Sequence, residues 1–181
     1  DRPMAGMLST NALWMRYTAD SVNYNRTRAN TVASIFLCSD FLEREGGFDF
    51  DINPAELTEI ENAVRTQPAC LSCHAALDPL ARFFGGFAEK SDSHPQSRYV
   101  HYSAHEHLAN LSGGEIMPHY FGHPGEDIRD LGTYIAADPR FYQCATERFF
   151  TGLTRQDIDV PTRDTLARAL LGKDATKSTR R

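Results

Sequence analysis

Five consecutive residues, Cys70-Leu71-Ser72-Cys73-His74, constrain this chain more than any other feature. Positions three and four apart on a helix share a face, so one turn presents two thiols and an imidazole to a common neighbour. CxxCH is the attachment pattern of c-type haem. Cys70 and Cys73 can each form a thioether to one vinyl group, and His74 then reaches the iron from the same side. An iron-bound imidazole also needs its second nitrogen held by a hydrogen bond, often to a backbone carbonyl, so that its tautomer is fixed. The pattern has rivals. A CxxC can be a redox dithiol, which goes with a thioredoxin-like alternation of strands and helices. It can be half of a zinc site, which needs further thiol or imidazole ligands at suitable spacing. It can also arise by chance. The sequence has poor strand signals, and Cys38 and Cys144 lie far away and form no second CxxC. One covalently attached haem c, with His74 as an iron ligand, is the expectation.

The sixth iron position has several candidates. Met117 stands in Gly113-Gly114-Glu115-Ile116-Met117-Pro118, a Met before Pro after a glycine loop, followed by a helix rich in Ile, Leu and Tyr. That context, and the distance from His74, resemble class I cytochromes c and imply ligation by Met117. A thioether ligand raises the reduction potential and suits electron transfer. The competitors are His101, His105, His107, His119 and His123, any of which would give a bis-His site. His101 and His105 are four apart and could share a helix face. Phe83, Phe84, Phe87, Tyr120 and Phe121 are candidates to wall the haem, or plain core.

Cys38 and Cys144 remain. Thioether attachment of haem takes place outside the cytoplasm, where disulfides persist. Both cysteines fall at helical positions beside apolar neighbours, so a Cys38–Cys144 bridge is expected. It would close a loop of roughly 100 residues, worth about 4–5 kcal/mol in loop-closure entropy. Two buried free thiols are the alternative.

The architecture reads as mainly α with long loops. Val32, Ile35 and Phe36 have helical spacing within 27–38. Asn53-Pro54-Ala55-Glu56 starts a helix that runs to about Arg65. Asp78-Pro79 looks like a further start, ending before Gly85-Gly86. Residues 126–137 place Ile128, Leu131 and Ile135 on one side, with two acids in the first turn. Asp138-Pro139 begins the next helix, which Gly152 should end, and a last helix over 162–171 should stop at Gly172. Residues 43–51 and 89–100 read as surface loops. The expected organisation is an N-terminal helical extension over 1–66 packing on the haem domain, a haem-binding core over 67–138, and a C-terminal helical segment over 139–181.

Composition excludes some functions. The 181 residues carry a formal charge of -5, whereas a domain that binds nucleic acid is usually basic. The longest apolar stretch, around Val32 to Leu37, is far shorter than the roughly 20 residues a membrane-spanning helix needs.

Several segments in one order resemble a family. They are Ala5-Gly6-Met7-Leu8-Ser9-Thr10, Asn25-Arg26-Thr27-Arg28-Ala29, Gln67-Pro68-Ala69-Cys70-Leu71-Ser72-Cys73-His74 and Leu77-Asp78-Pro79-Leu80. The chain resembles the cytochrome-c-like (PSCyt-type) domains of large secreted planctomycete and myxobacterial proteins. Its end, from Ala137 through Cys144 to Gly152-Leu153-Thr154-Arg155, looks like the small C-terminal domain that follows them. Cys70, Cys73 and His74 match the family's haem motif; its pattern does not secure a distal Met. After Leu80, Arg82-Phe83-Phe84-Gly85-Gly86-Phe87 departs from it. The resemblance implies the C-terminal part of a longer polypeptide, or one subunit of an assembly, with redox proteins as partners in a periplasmic or extracellular setting. The expected function is electron transfer rather than catalysis. A haem enzyme with an open sixth position, or a haem-stapled structural subunit, stands as the alternative.

Overall fold

Pro68 opens the helix that carries the CxxCH residues. It sits at the first turn, where its missing N–H costs nothing, and the helix, α4, runs Pro68–Ala81. The structure is a computed structural model that describes residues 2–17, 25–43, 57–91, 98–112 and 116–177. Before α4 come α1 (Asn11–Arg16), α2 (Arg26–Leu37) and α3 (Leu57–Thr66); a single 3-10 turn, Gly6–Ser9, precedes them. After it come β1 (Phe87–Ser91), β2 (Arg98–Tyr102), α5 (Ala104–Ser112), β3 (His119–Tyr120), β4 (His123–Pro124), α6 (Ile128–Ala137), α7 (Pro139–Thr154) and α8 (Val160–Lys177). The described residues are therefore mainly helical.

α4 is the hub. It packs against α2, α3 and β3, while α2 also packs against α7, and α7 and α8 lie side by side. One buried cluster runs through Leu8, Trp14, Ala29 and Val32 before α4, Leu77 and Leu80 on it, and Phe83, Phe84, Ile128 and Leu131 after it. Residues before and after Gln67 thus share a core. Trp14 is its centre, with ring centroids 4.9 Å from Phe84 and 5.7 Å from Phe87. Each such fully buried large side chain contributes roughly 1.5–3 kcal/mol. Arg28 is fully buried in this core. Its guanidinium lies 5.3 Å from the Trp14 ring and donates to Tyr17 O and Asn25 Oδ1, each at 3.0 Å, and to Phe87 O. That network satisfies a charge that would otherwise be costly to bury.

Several expectations need correction. Asp78-Pro79 does not start a helix. α4 runs through Pro79, which forgoes its one helical N–H bond but is buried against the core two residues before the helix ends. Residues 89–100 are not simply a loop: β1 and β2 pair antiparallel with Phe87 opposite Tyr102, and the two rings lie 5.0 Å apart. Such an aromatic cross-strand pair stabilises a hairpin that the polar face of the sequence conceals. Gly152 and Gly172 lie inside α7 and α8 instead of ending them. A glycine in an exposed helix costs only about 1 kcal/mol, less than the packing of the helix returns. α6 starts at Ile128, with the Asp127 carboxylate accepting from Arg129 N at 2.8 Å as its cap. The Asn53–Glu56 helix start, the Gly113-Gly114 loop and most of 43–51 lie outside the described residues.

Cys38 and Cys144 do meet. Their sulfurs are 2.14 Å apart, joining the end of α2 to α7 across 106 positions. Arg148 reinforces the same contact, donating from Nη2 to Ser34 O at 2.8 Å.

Candidate functional site

His74 projects from α4 into a cleft of about 490 Å³, a size in the usual range for small-molecule and cofactor pockets. α3 contributes Val64 and Arg65, α4 contributes Leu71, His74, Asp78 and Pro79, and the stretch before and into β3 contributes Ile116, Met117 and His119. The expected proximal ligand and the expected distal one therefore line one cavity, although 43 positions separate them in the sequence.

Local chemistry fixes each wall. Asp78 lies one helical turn beyond His74, and its Oδ1 is 2.9 Å from His74 Nδ1. A carboxylate only accepts, so Nδ1 carries the proton and the neutral ring keeps the Nε2 lone pair free. Arg26 of α2 grips the same carboxylate with both teeth of its fork, Nε to Oδ1 at 2.6 Å and Nη2 to Oδ2 at 2.9 Å. Burial pushes the Asp78 carboxyl up, but the hydrogen bonds from His74 and Arg26 outweigh it and hold Asp78 below the usual carboxylate range. Asp78 is thus ionised at neutral pH.

The stretch that carries Met117 is pinned on both sides. Arg82 Nε donates to Ile116 O at 3.1 Å, and Gly125 N donates to Pro118 O at 3.1 Å. Pro118 itself is fully buried. β3 and β4 close through a two-residue turn in which Phe121 and Gly122 both have positive φ, at 45° and 93°; the glycine accommodates this without a Cβ penalty. Met117 is left at the rim, 58% exposed, beside Ile116 at 40% and Leu71 at 38%.

Neither thiol of the CxxCH sequence lines the cleft. Cys70 and Cys73 are free, Cys70 half-buried and Cys73 buried with its Sγ 3.9 Å from Phe41 O. Successive helical residues turn by about 100°. Leu71, His74 and Asp78 therefore face the cleft, whereas Cys73 lies roughly 160° round the helix from Leu71 and joins the buried core with Leu77 and Leu80. The cleft supplies the two axial donors that a haem iron would take: an imidazole with one nitrogen occupied and the other free, and a thioether in the same cavity. The two unpaired thiols are on the same helix but outside the cleft lining.

Histidine geometry separates the rivals. His119 also lines the cleft, but Gly122 N–H donates to its Nδ1 at 3.3 Å. Its neutral ring then carries the proton on Nε2, the reverse of what a ligand using Nε2 needs. His107 is buried on α5 and its Nε2 lies 2.7 Å from Glu126 O; it ties α5 to the start of α6. His101 lies on β2 and His105 on α5, so they do not share a helix face. Among the described residues no three His, Cys, Asp or Glu side chains gather as a metal site.

The aromatic candidates do not line the cleft. Phe83, Phe84 and Phe87 are core around Trp14. Tyr120 is buried with its hydroxyl donating to Asp138 Oδ2 at 2.7 Å, and Phe121 lies under the Arg140 guanidinium at 4.3 Å. The apolar part of the cavity wall comes instead from Val64, Leu71, Ala75, Pro79 and Ile116. The sequence reading missed Asp78, Arg26 and Arg82. Asp78 carried a signal, since it stands four residues after His74 on one helix face; the partners from distant segments carried none.

No family model, no curated protein and no solved structure matches this chain. Among the described residues no helix is long and apolar enough to cross a membrane.

Proposed function

We propose that this chain is a monohaem c-type cytochrome module that transfers electrons outside the cytoplasm, as part of a larger protein or complex. One observation carries the reading: the His74 of a CxxCH sequence stands on a helix with Nδ1 held by Asp78, and its freed Nε2 shares a cleft with Met117. Cys70 and Cys73 would hold the haem by thioethers, His74 and Met117 would ligate the iron, and the arrangement would be that of a class I-like core flanked by helices. When bound, haem supplies a one-electron couple. The chain supplies the rest. His74 is oriented by a charged partner, Leu71 and Ile116 offer apolar cover, and the pinned stretch around Pro118 sets where Met117 stands. The resemblance to secreted cytochrome-c-like domains and the Cys38–Cys144 pair support an extracytoplasmic setting.

Intact mass after denaturation in acid and organic solvent tests this directly. After expression with c-type maturation, the mass should exceed the polypeptide by one haem. A bare polypeptide mass would sink the proposal. Cys70→Ala should leave haem held by at most one thioether.

The exposure of Met117 favours a second reading, an oxidative haem enzyme with an accessible sixth position. Ferrous protein that binds carbon monoxide readily would support it. Ferric protein with the weak far-red sulfur-to-iron band, and little carbon monoxide binding, supports the closed electron carrier.

A further inference from the structure

Asp78 touches both an imidazole on its own helix and a guanidinium on another, and the resulting triad joins segments 52 positions apart. We infer that Asp78 is a positioning residue for iron: with Arg26 fixing its carboxylate, it locks the His74 tautomer, aims Nε2 into the cleft and makes the imidazole a stronger electron donor. The inference rests on the haem reading and deepens it. A backbone carbonyl in the same place would fix the tautomer alone. A carboxylate also draws the Nδ1 proton toward itself and raises the basicity of the ring, as outer partners of metal-bound imidazoles do. Arg26 limits that pull. Its bidentate grip stops the carboxylate from rotating away, and its positive charge lowers the carboxylate's demand for the proton. The side chains of Arg26 and Asp78 are 27% and 13% exposed, so water screens the triad only in part.

The two partners then act on the iron in opposite directions. Asp78→Asn keeps the shape but removes the charge, which favours ferrous iron. Arg26→Gln frees the carboxylate to pull harder, which favours ferric iron. Loss of either charge alone would move the redox equilibrium in these senses through space, so the state of the His74 Nδ1 proton is what separates a positioning residue from a nearby charge.

The experiment uses the haem-loaded protein in three forms: wild type, Asp78→Asn and Arg26→Gln. Each is poised at one fixed potential, and its ferrous-to-ferric ratio is read by absorbance. The ratio should rise several-fold in Asp78→Asn and fall in Arg26→Gln. Proton NMR of the diamagnetic ferrous protein gives a second readout. The His74 Nδ1 proton should lie far downfield and exchange slowly in wild type, and should move upfield and exchange faster in Asp78→Asn. If both variants leave this proton unchanged, the inference is overturned, whatever happens to the ratio or to stability. If Asp78→Asn yields no haem-loaded protein, Arg26→Gln decides: a His74 Nδ1 proton moved further downfield upholds the inference, and an unmoved one overturns it. A wild type that carries no haem overturns the function reading instead.

Discussion

The two cysteine pairs of this chain lie in contrasting surroundings. Cys38 and Cys144 have found each other, and the α2–α7 contact around them is complete, with Arg148 satisfying a backbone carbonyl of the opposite helix. Cys70 and Cys73 stay single on α4, next to a cleft whose rim exposes Leu71, Ile116 and Met117. The first region spends its reactive groups on holding the fold. The second keeps an imidazole lone pair and a thioether in one cleft, carries two unpaired thiols on the same helix, and leaves apolar surface open to water. Groups arranged at such a cost in unburied apolar surface make sense when something else completes them.

Breaking the staple should have the largest effect on stability. Cys38→Ser should cost about 2–5 kcal/mol, read as a lower melting temperature. The absorption spectrum of the haem-loaded protein should stay that of wild type at temperatures where it is folded. A changed spectrum at low temperature would show that the two regions are not separable.

A smaller loss should follow removal of the α6 cap. Asp127→Ala removes the acceptor for Arg129 N, a change worth about 1 kcal/mol, measurable by urea unfolding with either redox form. α6 meets the β3–β4 segment through Tyr134, which stacks on Tyr120 at 5.8 Å and donates to Pro124 O at 2.6 Å, rather than through the Asp127 cap; under the haem proposal, the ligand set should survive.

Acid should act on the same caps. Burial raises the Asp127 and Asp138 carboxyls, but hydrogen bonds from their neighbouring arginines outweigh it and hold both below the usual range. A lowered folded-state value means that the contribution is full above the unfolded value of about 3.9 and is lost as pH falls through the folded one. Unfolding free energy should therefore be flat between about pH 7 and 5 on account of these groups and drop below about 4. Asp138→Asn should make the acid limb shallower. An unaltered limb would assign the acid loss elsewhere.

The smallest change in stability should come from the cleft rim, where the comparison is sharpest. Met117→Ala and Leu71→Gln replace exposed side chains and should alter chain stability by no more than about 0.5 kcal/mol. Met117→Ala should nevertheless open the iron to carbon monoxide and cyanide, and Leu71→Gln should leave the ligand set intact. If Met117→Ala leaves ligand binding unchanged, the distal role passes to another residue.

Legibility in the sequence followed range. The CxxCH helix was readable because its whole argument fits within one turn. The helices around Val32 and Ile128 were readable because their apolar faces repeat every three to four residues. Met117 was singled out by its immediate neighbours, Gly and Pro, and the fold brings it to the same cleft as His74. What failed was either non-local or ambiguous. Asp78-Pro79 has the composition of a helix start, and only packing of α4 against α2 shows that Asp78 serves Arg26 and His74. The β1–β2 hairpin depends on a Phe87–Tyr102 contact that no short window contains. The five aromatics were equally compatible with a cofactor wall and with core, and Trp14, Tyr102 and Asp138 decide the matter by claiming Phe83, Phe84, Phe87 and Tyr120.

The bond between Cys38 and Cys144 has a mechanical consequence. It short-circuits the 106 positions between them, which as slack chain would span roughly 350 Å. Tension applied between residues before Cys38 and residues after Cys144 runs through the sulfurs and bypasses α3 to α6. The backbone of the loop that contains α4 and the Met117 stretch carries none of that load. In an assembly that tugs on this segment from both directions, that backbone would stay unstretched until the bond itself was reduced, and the load would reach the cleft only through the α2 contacts, Arg26–Asp78 among them.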